Sequence, residues 1–282
     1  MNEAIRVAYQ GEAGAFSESA ARRLAGHDLT TVPCPTFEET FAAVTGGAAD
    51  CCVVPIENSL AGSIHRNYDL LLESEMTIAG ETNLRIVHNL IAGPGTTLAT
   101  ATRVYSHPVA LAQCTRFLRA NPRLEAMPVH DTAGAVRMVM EHGREDEVAI
   151  ASDRAAEIYG GRVLAAGIED HAQNYTRFFL VAPQASVRTF ARTETPRRWK
   201  TSLVLSIADK PGALFRALGA FALVDIDLAK IESRPIEGRP WEYAFYLDVV
   251  GQATEQPLTR SLDNLRSMAE MVRVLGSYPT RW

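Results

Sequence analysis

The sequence has few cysteines, no glycine-rich phosphate-binding loop and no long hydrophobic run. Its four cysteines among 282 residues show no Cys-x-x-Cys spacing, and its seven histidines form no His-Glu-x-x-His pattern, so we expect neither a disulfide scaffold nor a metal site. Neither GxxxxGK(S/T) nor GxGxxG occurs, which disfavours nucleotide and dinucleotide cofactors. If the protein is an enzyme, we therefore expect it to work without a cofactor, through side chains and backbone dipoles.

Charge and hydropathy argue against two further classes of partner. The 28 basic and 33 acidic side chains give a net charge of −5, whereas nucleic acid attracts a basic surface, so nucleic acid is not an expected partner. No stretch reaches the roughly 18–20 apolar residues of a membrane span. The longest apolar runs are interrupted by residues such as Arg85, His88 and Arg216, and the N-terminus has no export signal. We expect a cytoplasmic protein that binds no membrane.

The first two-thirds of the chain alternate between strand-like and helix-like hydrophobic patterns. Residues 5–9 and 51–55 are predicted strands, and the spacing of Phe37, Phe41 and Val44 predicts a helix. Strands that alternate with helices indicate an α/β unit with largely parallel pairing. In such a unit, ligands bind where strand ends lead into helices.

Helix-capping residues mark where the helices of this unit should begin. Ser17 and Ser63 are predicted N-caps, Pro108 is predicted in the first turn of a helix that runs to about Arg119, and Asp131 or Thr132 begins a further helix. The four cysteines lie in apolar surroundings, so we expect them to be buried core residues.

The C-terminal third has a different character. Residues 185–199 are rich in arginine and contain Pro196, which is typical of a solvated linker between domains. From residue 200 to residue 282 the pattern predicts strand, helix, two strands, helix and strand. That order, βαββαβ, is a ferredoxin-like α+β arrangement.

Three polar clusters follow or begin predicted strands, and each has two interpretations. Residues 55–63, with Asn58 and Ser59, form either an anion-binding turn at a helix N-terminus or a simple capping turn. In the second cluster, which includes Ser106, His107 is either a general base or a helix cap, and Gln113 is either a core amide or a ligand contact.

The third cluster is Asn174-Tyr175-Thr176-Arg177 at the start of a strand. Successive strand residues point to opposite faces, so Thr176 and Arg177 reach one ligand only if the strand entrance twists or bulges. Otherwise Arg177 anchors the site from behind, or the cluster is an ordinary strand edge.

The chain resembles prephenate dehydratases that carry a C-terminal ACT regulatory domain. The resemblance covers almost the whole chain and rests on segments in the family's order, namely AYQGEAGAFSESAA, VPIENSLAGSIHRNYDLL, SHPVALAQC, ASDRAAEIYG, NYTRFFLV, KPGALFRAL and KIESRPIEGRPWEYAFYLD. It implies decarboxylating dehydration of prephenate to phenylpyruvate in phenylalanine biosynthesis, without a cofactor. It also implies a catalytic domain over residues 1–184, with two subdomains around a cleft as in periplasmic binding proteins, a linker over 185–199 and an ACT domain over 200–282.

The resemblance also assigns site residues. Thr176 corresponds to the family's essential threonine, which we interpret as a hydrogen-bond donor to the leaving hydroxyl group. The implied substrate-binding residues are Asn58, Ser59, Gly62, Ser106, Asn174 and Arg177. L-phenylalanine is the implied allosteric inhibitor, bound between paired ACT domains of a homodimer or homotetramer. Its implied contacts are Gly212, Ala213, Leu214, Glu232, Ser233, Arg234 and Pro235.

Two departures from the family motifs keep alternatives open. Ala15 replaces the usual threonine of the first motif, and Phe215 replaces a smaller residue in the regulatory motif. Arogenate dehydratase, which performs the same elimination on the amine analogue, is one alternative; a non-catalytic amino-acid sensor is another. The first strand begins near Ile5, so we expect no preceding chorismate mutase domain.

Overall fold

The apolar runs of the sequence become the strands of three separate sheets. The computed structural model describes residues 4–26, 28–187, 198–236, 238–239 and 241–280. It divides the chain into two compact units. The first contains Met1–Leu70 and Thr82–Leu180, and the second contains Leu71–Glu81 and Val181–Trp282.

Strands and helices largely alternate from Ile5 to Pro183, although the three strands between Met76 and Ser106 follow one another without a helix between them. Their order is β1 (Ile5–Gln10), α1 (Phe16–Ala25), β2 (Leu29–Cys34), α2 (Phe37–Thr45), β3 (Cys51–Asn58), β4 (Gly62–Ser63), α3 (His65–Glu73), β5 (Met76–Arg85), β6 (Asn89–Ala92), β7 (Arg103–Ser106), α4 (Pro108–Ala112), α5 (Thr115–Ala120), β8 (Glu125–Pro128), α6 (Thr132–His142), β9 (Glu147–Ala151), α7 (Asp153–Tyr159), β10 (Arg162–Ala165) and β11 (Tyr175–Pro183). Helix α3 and strands β5 and β11 each run from one unit into the other.

These strands form two sheets, which confirms the predicted α/β class with two subdomains. One sheet has the order β2-β1-β3-β11-β5, with β4 paired to β3, and the other has the order β10-β6-β9-β7-β8. The pairs β1–β2, β1–β3, β7–β8 and β7–β9 are parallel, whereas β6–β9 and β10–β6 are antiparallel. The largely parallel pairing predicted from the sequence is therefore correct for β1 and β7 and wrong for β6 and β10.

Strand β3 shows why a continuous apolar run becomes a central strand. Every residue from Cys51 to Ile56 is fully buried, as in a strand covered on both faces. All four cysteines are buried and free, which confirms that they are core residues. Burial raises the pKa of the Cys51 and Cys114 thiols to about 12, so both remain protonated and unreactive at neutral pH.

Two of the predicted helix starts are wrong. Helix α1 begins at Phe16 with Ala15 as its N-cap, so Ser17 lies inside the first turn, and the Glu18 carboxylate accepts a hydrogen bond from the Gly14 N–H just before the helix. Ser63 lies in β4, where it pairs with Glu57, and α3 begins only at His65. The helix predicted from Pro108 to Arg119 is divided at Gln113 and Cys114 into α4 and α5. By contrast, the Asp131 side chain caps α6 as predicted.

The second unit contains the predicted βαββαβ order. Its elements are β12 (Arg198–Ser206), α8 (Ala213–Ala222), β13 (Leu228–Pro235), β14 (Tyr243–Val250), α9 (Leu258–Met268) and β15 (Met271–Thr280). The strands form an antiparallel sheet in the order β13-β14-β12-β15, and apolar side chains of both helices share a core with it. Most of the expected linker, residues 188–197, lies outside the described residues; Gln184–Ser186 form a single 3-10 turn.

The segment Leu71–Glu81 belongs to this second unit, which the sequence pattern does not reveal. The Arg273 guanidinium donates to the carbonyl oxygens of Leu72 and Ser74. Lys200 Nζ lies 2.8 Å from Glu81 Oε1. Gly276 approaches the segment so closely that a Cβ atom there would lie 2.3 Å from the Ile78 carbonyl oxygen. The second unit is therefore built from two separate stretches of the chain.

Candidate active site

A cavity of about 370 Å³ lies in the first unit, where strand ends of its sheets meet. Gln10 at the end of β1, Asn58 at the end of β3 and Thr176 near the start of β11 contribute to its wall. Apolar side chains, among them Ile86 and Phe178, form much of the rest. Its volume lies within the range of small-molecule sites, roughly 300–1,000 Å³.

The first residues of three helices also line this cavity. Phe16 begins α1, Val109 lies in the first turn of α4, and Thr132 begins α6. Among the described residues that line the cavity there is no lysine or arginine; the titratable ones are His88, His107, His130 and Asp131. Because the N–H groups at a helix N-terminus carry partial positive charge, this wall suits an anion without a basic side chain.

Thr176 and Asn58 are directly hydrogen-bonded in the cavity wall. Asn58 Oδ1 accepts hydrogen bonds from the backbone N–H groups of Leu60 and Ala61 at 3.0 and 2.9 Å, which fixes the orientation of the amide. Its Nδ2 then donates to Thr176 Oγ1 at 2.9 Å. Since Oγ1 accepts this bond, the hydroxyl hydrogen of Thr176 remains to be donated, and no described residue accepts it. The result is a fixed hydrogen-bond donor at the cavity.

Asn174, Gln113 and His88 continue the same network. Asn174 is fully buried; its Oδ1 accepts from Asn58 Nδ2 at 2.8 Å, and its Nδ2 donates to Gln113 Oε1 at 2.9 Å. His88 Nε2 lies 2.9 Å from the same Gln113 oxygen. Of the two interpretations of Gln113, a core amide or a ligand contact, the structure favours the second, because Gln113 lines the cavity. Sequence reasoning missed His88, whose only signal was that it interrupts an apolar run.

Two of the expected substrate-binding residues hold the turn after β3. Ser59 Oγ donates to the Gln173 carbonyl oxygen at 3.0 Å and accepts from Tyr175 N–H at 2.9 Å, which ties the turn to the start of β11. Gly62 pairs with Asn58 and has a φ of +84°, a conformation that favours glycine. Neither residue lines the cavity; both position Asn58 and β11.

The structure also leaves Ser106 and Arg177 out of the cavity wall. Ser106 is fully buried and donates to the Ile150 carbonyl oxygen at 2.6 Å. The Arg177 guanidinium carbon lies 4.7 Å from the centroid of the Phe179 ring, two residues along the strand and on the face opposite Thr176. The alternation of β11 is therefore not broken by a twist that would bring Thr176 and Arg177 to one ligand.

His107 acts as a helix cap in this structure. Its Nδ1 accepts a hydrogen bond from Val109 N–H at 3.2 Å, at the start of α4. Burial lowers the pKa of His107, and the nearby His130 lowers it further, so the ring favours the neutral form at neutral pH. A neutral ring can accept the capping hydrogen bond, whereas a doubly protonated ring cannot.

The residues expected to bind the regulator divide into two groups in the second unit. Ala213 and Leu214 line a cavity of about 140 Å³ together with the turn that includes Asp209 and Lys210. Gly212, with a φ of +78°, is the N-cap of α8. The others lie outside this cavity, on β13 at the end of the sheet, and are Glu232, Ser233, Arg234 and Pro235.

The described residues contain neither a membrane-spanning helix nor a metal-binding cluster. None of the described helices has the length and apolar character needed to cross a bilayer. No three described histidine, cysteine, aspartate or glutamate side chains are arranged to hold a metal ion.

Two family models match this chain. The model described as prephenate dehydratase matches residues 7–186, and the one described as ACT domain matches residues 201–267. A protein of Arabidopsis thaliana named arogenate dehydratase/prephenate dehydratase 2, chloroplastic, is 43% identical over 284 residues, covering 98% of this chain and 73% of that protein.

Solved structures are similar over the same length. The structure of prephenate dehydratase from Arthrobacter aurescens in complex with L-Phe has a TM-score of 0.87 and 32% identity, covering 98% of this chain and 90% of that chain. A structure described as GqqA, a novel type of quorum quenching acylase, has a TM-score of 0.87 and 38% identity, covering 98% of both chains.

Proposed function

Because the chain belongs to the prephenate dehydratase family of enzymes and carries an ACT domain, we propose that it converts prephenate to phenylpyruvate, with loss of carbon dioxide and water. The observation that carries this proposal is the Thr176 hydroxyl group, which lines the cavity, accepts a hydrogen bond from Asn58 and keeps its own hydrogen to donate. We propose Thr176 as the catalytic residue and Asn58 and Asn174 as its supports. The proposed catalytic domain spans residues 1–184, and the proposed regulatory domain spans residues 200–282.

The proposed mechanism is an elimination driven by formation of an aromatic ring. The ring carboxylate leaves as carbon dioxide, its bonding electrons enter the ring, and the hydroxyl group on the opposite carbon leaves as hydroxide, which takes a proton from solvent to give water. Negative charge develops on that leaving oxygen, so a donor held in place by Asn58 stabilises the transition state more than the ground state. The first turns of α1 and α6 supply N–H groups for the two carboxylates of the substrate, and Ile86 and Phe178 face the ring.

A threonine-to-alanine substitution tests this proposal. One preorganised donor is worth about 10²–10³ in turnover, so Thr176→Ala should lose at least that much phenylpyruvate formation, while Thr176→Ser should retain a measurable part. Thr30→Ala, at an exposed threonine of β2, is the matched control and should behave as wild type. Equal turnover by wild type and Thr176→Ala would refute the assignment.

Arogenate is the second candidate substrate. The Arabidopsis relative is named for both arogenate and prephenate, and arogenate carries an amino group where prephenate has a keto group. Asp131 is the one carboxylate among the described residues that line the cavity, and it offers a counter-charge to an ammonium group. Comparison of kcat/KM for the two substrates decides between them, and a preference for arogenate should be lost in Asp131→Asn.

Hydrolysis of an acyl group is less well supported by the site, although one structural relative is described as an acylase. A nucleophilic threonine needs a base that removes its proton. Thr176 Oγ1 instead accepts a hydrogen bond from Asn58, and none of the described side chains is placed to accept the Thr176 proton. The geometry therefore favours a role as donor over a role as nucleophile.

We also propose feedback inhibition by L-phenylalanine at the second unit. The related enzyme of Arthrobacter aurescens was solved with L-Phe, and the turn before α8 offers N–H groups to an amino-acid carboxylate. Strand β13 ends the described sheet, so a second copy of the chain can complete the site there, which supports a homodimer or homotetramer. The proposed compartment is the cytoplasm; the Arabidopsis relative, by contrast, is named chloroplastic.

A further inference from the structure

The hydrogen-bond network behind Thr176 has a direction that is set by the backbone. Asn58 Oδ1 can only accept, and the N–H groups of Leu60 and Ala61 can only donate, so the amide cannot be reversed. Asn58 Nδ2 must then donate. Its acceptors are Asn174 Oδ1 at 2.8 Å and Thr176 Oγ1 at 2.9 Å, with the Tyr175 carbonyl oxygen farther away at 3.2 Å.

The same logic fixes the orientation of Gln113. Asn174 uses its oxygen to accept from Asn58, so its Nδ2 donates, and the atom of Gln113 that lies 2.9 Å away must be the carboxamide oxygen. The carboxamide nitrogen of Gln113 therefore points away from Asn174 and His88, which both contact the oxygen. It has no hydrogen-bond partner among the described residues, although Gln113 lines the cavity.

His88 meets the oxygen of Gln113, and this contact defines which nitrogen of the ring carries hydrogen. Nε2 lies 2.9 Å from Gln113 Oε1, and two acceptors cannot pair, so Nε2 must donate. The other nitrogen, Nδ1, is buried and has no partner in the described part of the chain. Burial lowers the pKa of His88, which favours the neutral ring even though Gln113 and the nearby Glu169 oppose this shift.

Packing holds the ring in this position. The side chain of His88 is 2% exposed, and its ring makes an edge-on contact with Phe16, with 5.8 Å between the ring centroids. The backbone N–H of His88 donates to Glu169 Oε2 at 3.0 Å, and that carboxylate also pairs with Arg85. Burial and the contact with Phe16 therefore favour a single position of the ring.

We propose that His88 is a positioning residue of the active site: as the neutral Nε2–H tautomer it holds the Gln113 oxygen, so that the Gln113 NH₂ group is directed into the cavity as a second donor beside Thr176. The target of this donor is an oxygen of the substrate, either a carboxylate or the leaving hydroxyl group. Without His88, the Gln113 amide is held through Asn174 alone and can turn. The expected effect on kcat rests on the proposed dehydratase function, whereas the tautomer of His88 and the orientation of Gln113 do not.

Three substitutions separate positioning from packing. His88→Phe keeps a ring against Phe16 but removes the donor, so kcat should fall roughly tenfold with a smaller change in KM. His88→Gln restores an N–H group near the position of Nε2 and should recover most of this loss. His142→Phe is the matched control, because His142 pairs with Glu147 outside the cavity, and its activity should equal that of wild type. Wild-type kcat in His88→Phe, or equal loss in both His88 variants, would overturn the proposal.

The tautomer itself is measurable without turnover. Nitrogen-15 spectra of histidine-labelled wild-type protein, with His88 assigned by comparison with His88→Gln, should show a neutral ring protonated at Nε2 between about pH 7 and pH 8. A ring protonated at Nδ1, or a doubly protonated ring, would overturn the inference even if the enzyme is active on prephenate. Conversely, a protein that has the expected tautomer but does not act on prephenate or arogenate would refute the proposed function and leave the network intact.

Discussion

At the scale of single residues, Ala15 is the position where the catalytic motif departs from the usual threonine. It is the N-cap of α1, with extended backbone angles suited to a capping side chain, but it offers no acceptor to the helix N–H groups. It also lines the cavity. Ala15→Thr supplies the missing hydroxyl group, whereas Ala15→Val has the same shape without it. We expect the threonine variant to be the more stable of the two by about 1 kcal/mol.

Urea unfolding of both variants measures this difference, and their shared shape removes the effect of packing from the comparison. The family resemblance leads us to expect that the threonine hydroxyl also touches the substrate, which would appear as a change in KM relative to Ala15→Val. If the two variants unfold at the same urea concentration, α1 does not use a side-chain cap at this position.

Single residues also show how much of the site the sequence could predict. Thr176 and Asn58 were predicted from their motifs and meet at the cavity, because Asn58 lies at the end of β3 and Thr176 lies near the start of β11. Arg177, in the motif of Thr176, and Ser106, in a separate motif, were also predicted but do not line the cavity, because a motif does not state which way a side chain points. His88 could not be predicted, because its role depends on a contact with Gln113, 25 positions away.

At the scale of elements, Glu18 joins the loop before α1 to α7. Its buried carboxylate accepts from Gly14 N–H at 2.7 Å and pairs with the guanidinium groups of Arg22 and Arg154 at 2.8 and 3.0 Å. Gly14 itself packs on α7, where a Cβ atom would lie 2.7 Å from Ala155 Cα. These contacts join α1 and the loop before it to α7.

This junction predicts a pH dependence of stability. Burial alone would raise the pKa of Glu18, but the Gly14 N–H and the two guanidinium groups lower it, and the net shift is downward from 4.5. The contribution of Glu18 is therefore complete above about pH 4.5 and is lost as the pH falls through the depressed value in the folded protein. We expect Glu18→Gln to lower the free energy of unfolding at pH 7 by about 1.5–3 kcal/mol.

Urea titrations of wild type and Glu18→Gln from pH 7 down to about pH 3 test the sign of this effect. The difference between the two proteins should shrink towards acid pH, because wild type loses a charge that the variant does not have. Glu38→Gln is the control, since Glu38 pairs with Arg66 at the surface and should change stability little. If the difference in free energy of unfolding between wild type and Glu18→Gln stays constant with pH, ionisation of Glu18 is not its cause.

Elements with strong periodicity were easier to predict than short or polar ones. Helix α2 and strand β3 follow the predicted pattern, whereas β2, β5 and β8 were not predicted, because threonine, glutamate or proline interrupts their apolar residues without a regular period. The starts of α1 and α3 were also predicted wrongly. Ser17 lies inside the first turn of α1, whose N-cap is Ala15, and Ser63 lies in β4, so neither serine stands at the N-cap position of its helix.

At the scale of the whole molecule, the proposed regulation predicts coupled changes in stability and activity. L-phenylalanine at about 100 times its dissociation constant should stabilise the unit it binds by about 2.7 kcal/mol, which appears as a higher Tm, and should lower dehydratase turnover. D-phenylalanine is the control ligand. Ala213→Leu fills the cavity of about 140 Å³ in the second unit, so both responses should weaken while turnover without ligand stays at the wild-type level.

Thermal melts, initial rates and sedimentation, each with and without ligand, provide the three measurements. Activity inhibited equally in wild type and Ala213→Leu would place the phenylalanine site elsewhere.

The organisation into an α/β part and a βαββαβ part was predictable from periodicity alone, because the change of pattern near residue 184 is sharp. The membership of Leu71–Glu81 in the second unit was not, since it depends on contacts with Lys200 and Arg273 that are distant in sequence.

The absence of lysine and arginine from the described cavity wall bears on how the enzyme can evolve. Where a basic side chain binds an anion, a single nucleotide change can replace that side chain and abolish the interaction. Peptide N–H groups at the starts of α1 and α6 are present whatever residue is encoded, with proline as the exception. An inhibitor designed to engage those amides would leave few routes to resistance by point mutation.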